Sequence, residues 1–189
     1  MDKLVIGLIG EKGAGKQTFN DSLQKILKNN KIQVVKSGEM LLEALNFWDL
    51  PNTRANLQNL AIIMDQTYGE GTVSRAVKTK IANSEANIII FDGIRWQTDI
   101  DVVRQFSRNI LIYITAKAKL RYQRLKERQE KADEKTLTWE QFLKEERAKT
   151  ETFIPIISKQ ADIMLDNNGS IEDLGTQIEK VVKNHSLDI

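Results

Sequence analysis

Cysteine is absent from the 189 residues, and histidine occurs once, at His185. Disulfides and zinc sites built from Cys and His are thereby excluded. No run approaches the roughly 18 apolar residues of a membrane-spanning helix. The opening "MDKLVIGLIG" has neither the long apolar stretch nor the small-residue cleavage site of a secretory signal. No membrane partner is expected, and the expected location is the cytoplasm. Charge of one sign is lacking too: 28 Lys and Arg stand against 26 Asp and Glu, a net charge of +2. So even a balance gives no electrostatic footprint for a nucleic acid, and none is expected as a partner. Internal repeats and low-complexity linkers are missing. What remains is an ordinary globular composition, 41% hydrophobic and 29% charged, on a length that suits one domain with a full core.

Four short apolar runs rich in Val and Ile carry the skeleton: "KLVIGLI" (3–9), "IQVVK" (32–36), "NIIIF" (87–91) and "NILIYI" (109–114). A weaker fifth is "ADIML" (161–165). Runs without alternation suit strands buried on both faces, as in a parallel sheet. Helical patterns lie between them: Phe19, Leu23, Ile26 and Leu27 share one stripe, and Ile100, Val103 and Phe106 share another. The order predicts a doubly wound α/β fold around a parallel five-stranded sheet. Thr138 with Gln141, and Ser170 with Asp173, have the spacing of capping boxes and place two late helix starts. Long helix-like stretches after the second and fourth strands read as excursions off the sheet. The expected organisation is a single domain with core segments 1–36, 84–128 and 150–189, a substrate-side excursion at about 37–83 and a lid at about 129–149.

Chemistry concentrates in islands at the strand ends. "GEKGAGKQT" follows the first strand and opens a helix. Gly10, Gly13, Ala14 and Gly15 present backbone N–H groups to phosphate oxygens, the helix N-terminus aims its dipole at the same anion, and Lys16 adds a point charge. Gln17 stands where a hydroxyl often follows the Lys, and Thr18 supplies one a residue later. Asp92 ends the third strand, where an acid can hold the water shell of a Mg²⁺ ion beside Thr18. Arg95 offers a planar fork for a second phosphate. Lys117, Arg121, Arg124 and Arg128 form one helical stripe after the fourth strand. A solvated face explains the stripe as a whole; position assigns a triphosphate-facing role to Arg124 and Arg128. Ser37 and Gly38 open a helix at the end of the second strand, the edge where a second ligand enters.

Together these islands resemble the nucleoside monophosphate kinases, and most closely the adenylate kinases and adenylate-kinase-related proteins. The family's Gly-x-x-Gly-x-Gly-Lys-x-Thr fits "GEKGAGKQT", its Thr-Gly-Asp-Met-Leu is similar to "SGEML" (Ser37–Leu41), and its Asp-Gly-Phe-Pro-Arg is similar to "DGIR" (Asp92–Arg95). Its Arg-x-x-x-Arg at the lid resembles Arg124 to Arg128. The resemblance implies the P-loop nucleoside triphosphate hydrolase fold, with ATP and Mg²⁺ as cofactors. It implies transfer of the γ-phosphoryl group to a nucleoside or deoxynucleoside monophosphate. Lys16, Asp92, Arg95, Arg128 and Arg147 would carry the chemistry, and Ser37, Gly38 and Met40 would line the acceptor site.

The chain departs from that family at three places. Leu42 replaces the Arg that grips the monophosphate, so Arg54 or Arg75 would have to do so. Asp99 stands where the adenine-reading Gln is expected, and the lid is short and helical. The late "ADIMLDNNGS" is similar to the terminal strand-turn of dephospho-CoA kinases, which implies that Asn167–Ser170, with Gly169 and Ser170, lie against an adenine. A small-molecule kinase of that kind is one alternative; a nucleotide-dependent switch with weak hydrolysis is another. A GTPase is disfavoured, because no Asn-Lys-x-Asp signature follows the third strand.

Overall fold

The computed structural model describes residues 3–128 and 136–187. Five strands, β1 (Leu4–Ile9), β2 (Ile32–Lys36), β3 (Ile88–Ile94), β4 (Arg108–Thr115) and β5 (Ile163–Asp166), form one sheet in the order β2-β3-β1-β4-β5. Every pairing is parallel. The doubly wound α/β arrangement expected from the apolar runs is the one found. Strand alternation divides the core. Leu4, Ile6 and Leu8 face one layer, where α1 (Lys16–Ile26) and α10 (Ile171–Asn184) supply Phe19, Leu23, Leu174 and Ile178. Val5 and Ile9 face the other, where α4 (Thr72–Asn83) and α5 (Gln97–Arg104) supply Val77, Ile81, Ile100 and Val103.

Strand β3 runs past the apolar segment that marks it. Leu8 still pairs with Asp92, and the register then slips so that Ile9 pairs with Ile94. The slip falls at Gly93, whose φ of 97° only glycine adopts without strain. Asp92 is the last β3 residue in regular register with both neighbours, Leu8 and Lys36, before this bulge. The excursion after β2 consists of α2 (Ser37–Phe47), α3 (Arg54–Tyr68) and α4; α4 packs into the sheet's covering layer, and Met40 of α2 packs against the same cluster. After β4 come α6 (Ala118–Arg128), α7 (Trp139–Glu146) and the short α8 (Lys149–Thr152) and α9 (Ile154–Ile157). Both expected capping boxes form, at Thr138 with Gln141 and at Ser170 with Asp173. The part of the lid at 129–135 lies outside the described residues. Among the described residues, no helix is long and apolar enough to cross a membrane.

Candidate active site

The strands' carboxyl ends open onto one cavity of about 1300 Å³. Its floor is the loop between β1 and α1. Gly15 caps α1 with φ 107°, and a side chain there would collide with the amide of Asn167. That amide donates to the Ala14 carbonyl at 2.8 Å, so the β5–α10 turn braces the loop. Gly13, Gly15, Lys16, Gln17 and Thr18 line the cavity. Lys16 Nζ donates to the carbonyls of Gly10 (2.7 Å) and Glu11 (3.0 Å). Burial, and then the nearby Arg95 charge, lower its pKa to about 8, although Asp92, Glu151 and Glu11 pull the other way.

Asp92 is buried at the cavity wall, and its Oδ2 accepts from Asn20 Nδ2 at 3.1 Å. Asn20 sits one turn after Lys16 inside the apolar stripe of α1, completely buried. A polar side chain on such a stripe is the sequence signal that would have found it. Arg95 lines the cavity, and its Nη1 donates to Gly10 O (3.2 Å) and Ile94 O (3.0 Å). Its Nε lies 3.3 Å from Glu151 Oε1. Asp99, in the place of the family's adenine-reading Gln, does something else. Its Oδ2 accepts from the backbone N–H groups of Arg95 (2.9 Å) and Trp96 (3.1 Å), and its Oδ1 from Ser74 Oγ (2.6 Å). It therefore caps α5 from the third helical position and fixes the backbone that carries Arg95. Burial pushes its carboxyl above the usual range, against these hydrogen bonds.

Of the basic stripe, Arg124 and Arg128 line the cavity. Arg124 Nη2 reaches Asn167 Oδ1 at 3.4 Å, and its Nη1 is buried without a hydrogen-bond partner. Arg121 turns instead into the protein. It is 5% exposed, donates to Ala116 O (2.9 Å) and Lys12 O (3.2 Å), and meets Glu146 Oε2 at 2.5 Å. Lys12 of the loop is equally buried, 2.6 Å from Glu145 Oε2, with its ammonium 4.6 Å from the Phe142 ring centre. Helix α7 is thus clamped onto the phosphate loop over a small core of Leu125, Leu137 and Phe142. A stripe read as solvated hides this clamp, because its buried partners lie on a helix far along the chain. Arg121→Met should cost about 2 kcal/mol in urea unfolding, since Glu146 and two carbonyls lose a charged donor while partial exposure of Glu146 relieves the rest.

The remaining expected residues divide. Ser37 and Gly38 line the cavity at its far edge. Met40 packs against the core under β2, and its neighbour Leu41 takes the cavity wall. The Arg75 guanidinium is spent on Tyr68 O, Glu70 O and Thr72 Oγ1, closing the α3–α4 turn away from the cavity lining. Arg147 caps the end of α7, exposed and off the lining. Gly169 and Ser170 start α10, while Asn167 and Ile171 on either side reach the cavity. Helix α3 begins at Arg54, whose side chain lies outside the described residues.

Solved structures share this architecture along nearly the whole chain. TT1252 from Thermus thermophilus superposes with a TM-score of 0.64 at 19% identity, covering 97% of this chain and 98% of that one. A shikimate kinase from Bacteroides thetaiotaomicron gives 0.64 at 12% identity, covering 97% and 99%. Another, from Acinetobacter baumannii and solved with shikimate, gives 0.59 at 16%, covering 98% and 96%. The chain shares the fold of these shikimate kinases. These likenesses carry that fold without distinguishing the adenylate kinases within it. In sequence the chain is similar to proteins described as UPF0200: one of Sulfurisphaera tokodaii is 29% identical over 179 residues, covering 95% of this chain and 96% of that protein. One of Pyrococcus horikoshii is 25% identical over 184 residues, covering 95% and 96%. No family model matches the chain.

Proposed function

We propose that the chain transfers the γ-phosphoryl group of ATP to a small-molecule acceptor. The observation that carries this is the continuity of one cavity. It runs from Gly13–Thr18 past Asp92 and Arg95 to Ser37, Gly38 and Leu41, so a phosphate-binding floor and a second ligand edge share one space. Phosphoryl transfer needs positioning and charge neutralisation between two ligands, and this arrangement supplies both. The dipole and free N–H groups of α1 meet the β- and γ-phosphates, Lys16 adds its charge, and Arg128 and Arg95 balance charge on the transferring group. Arg124, Asn167 and Ile171 border the end where the base of the nucleotide would rest.

Mg²⁺ fits as a partner of the phosphates. Among the described residues, no cluster of three acids or His could hold a metal by itself. Asp92 and Thr18 line the cavity beside Lys16 and suit an ion that takes most of its ligands from water and phosphate. When bound, the ion neutralises negative charge on the β- and γ-phosphoryl oxygens.

On its sequence motifs, a nucleoside monophosphate is the first acceptor to try. The test incubates the protein with Mg²⁺-ATP and a panel of nucleoside monophosphates, nucleosides, other cyclic alcohols and dephospho-CoA. ADP whose formation depends on an acceptor supports transfer; ADP formed equally without any acceptor supports a switch. Binding itself should show a proton signature. Because Lys16 has a pKa of about 8, the site is increasingly neutral above that pH, and a triphosphate must draw the proton back. ATP affinity should hold from pH 6.5 to 7.5 and fall by up to about tenfold per unit above pH 8. Calorimetry in buffers of different ionisation enthalpy should report proton uptake at pH 9. Affinity independent of pH across that range would rule out a buried Lys16 as the phosphate partner.

A further inference from the structure

Glu151 stands in the cavity wall, and as a carboxylate it is no partner for a triphosphate. It comes from α8, which is tied across the cavity to α3 by Gln58 Nε2 donating to Thr150 Oγ1 at 3.1 Å. One carboxylate oxygen, Oε1, is held by Arg95 Nε at 3.3 Å. The other, Oε2, is buried and has no hydrogen-bond partner. A buried anionic oxygen without a donor is costly, and it is relieved by a ligand that brings one. Among the described residues, Arg95 after β3 pairs with Glu151, whose charge acts on Lys16, as do those of Asp92 and Glu11.

The same pair changes what Arg95 can offer. Nη1 is committed to Gly10 O and Ile94 O, and Nε to Glu151. Each two-nitrogen edge of the fork therefore has at least one member in use, which leaves Nη2 for a ligand. A phosphate monoester wants a whole edge, and it would meet the Glu151 carboxylate beside it. Asp65 and Glu70 line the same half of the cavity, together with apolar walls from Leu57, Ile62 and Phe153. An acceptor that donates a hydrogen bond suits this half better than one that arrives as a dianion.

Building on the phosphotransfer proposal, we infer that the accepting atom is a hydroxyl oxygen and that Glu151 is the base that orients it and takes its proton. The hydroxyl donates to Glu151 Oε2. Its oxygen forms a bond to the γ-phosphorus, and the bond from that phosphorus to the bridging oxygen breaks, its electron pair leaving on ADP. The proton passes to Oε2. The products are ADP and a phosphate monoester. The acceptor class is an alcohol with an apolar or planar body and no phosphate of its own, such as a nucleoside or another cyclic alcohol.

Water is the smallest hydroxyl acceptor, so basal ATP hydrolysis reads the role of Glu151 before the acceptor is known. Wild-type protein with Mg²⁺-ATP should hydrolyse slowly. Glu151→Gln should lower that rate about 100-fold and leave the KM for ATP unchanged. Glu151→Asp should restore part of the rate. With the acceptor panel, an alcohol should stimulate ADP release and ³¹P NMR should show a monoester. Overturning results are equally definite. If nucleoside monophosphates are phosphorylated to diphosphates, and Glu151→Gln keeps or raises that rate by releasing Arg95, the acceptor is a phosphate and the base role is wrong. A rise in monophosphate KM in Arg54→Ala would then place its grip on α3. ADP formation equal in wild type and Glu151→Gln, and blind to every acceptor, would overturn phosphotransfer itself and the base role with it.

Discussion

Lys16→Met protein is expected to fold normally and to make ADP on the order of 10³-fold more slowly than wild type, with or without an acceptor. Lys12 of the loop is tied to Glu145, whereas the Lys16 ammonium group sits over the carbonyls of Gly10 and Glu11 where α1 begins. Methionine keeps the length and apolar stem of the side chain, so packing around Phe19 and Asn20 has no reason to change. Removing the charge should even relieve the desolvation that lowers the lysine pKa to about 8, and thermal stability should rise slightly. Circular dichroism and a thermal melt check the fold, and a coupled ADP assay checks the rate. A stable variant with wild-type turnover would mean that the chemistry happens elsewhere.

Asp99→Ala should have the largest effect on stability, about 3 kcal/mol in urea unfolding. The substitution strips three donors at once: two backbone N–H groups at the start of α5 and the buried Ser74 hydroxyl. Asp99→Asn should cost less than about 1 kcal/mol. Its carbonyl oxygen can take the two N–H groups while its amide faces Ser74, whose hydroxyl can accept because it also pairs with Thr98 Oγ1 at 2.9 Å. The two variants also separate by pH. Burial raises the Asp99 pKa, so the folded protein binds that proton more readily than the unfolded chain. Stability from this carboxyl is therefore lost as pH rises through the folded pKa and regained on acidification. Wild type should gain on Asp99→Asn as the pH falls from 7 towards 4. Because Asp99 holds the backbone of Arg95, the alanine variant should also lose acceptor-dependent turnover.

The pair illustrates what was legible in the sequence. Strands announced themselves as runs without alternation, and the phosphate loop as glycines between a strand and a helix. Those signals are local, and the sheet and cavity floor follow from them. The capping boxes at Thr138 and Ser170 were equally local. Asp99 belongs to the same type of cap, but Trp96 at its N-cap is no helix-starting residue, so in sequence Asp99 registered only as a departure from the base-reading Gln. Lys12 and Arg121 were hidden for a different reason. Charge in sequence reads as solvated, and only the fold brings Glu145, Glu146 and the Phe142 ring around them. Glu151 gave no signal, since its partner Arg95 lies 56 residues earlier.

The sheet order has a consequence for how the protein is made. Strand β1 is central, and its partners begin at Ile88 on one edge and at Arg108 on the other. A growing chain therefore exposes an apolar strand with both edges bare until Ile88 is reached, and with one edge bare until Arg108. The loop after β1 precedes these partners in the chain, yet the strands and the β5–α10 turn that brace it come later. A nascent chain halted before β4 carries the whole loop motif on a sheet that lacks β4, β5 and the Asn167 brace.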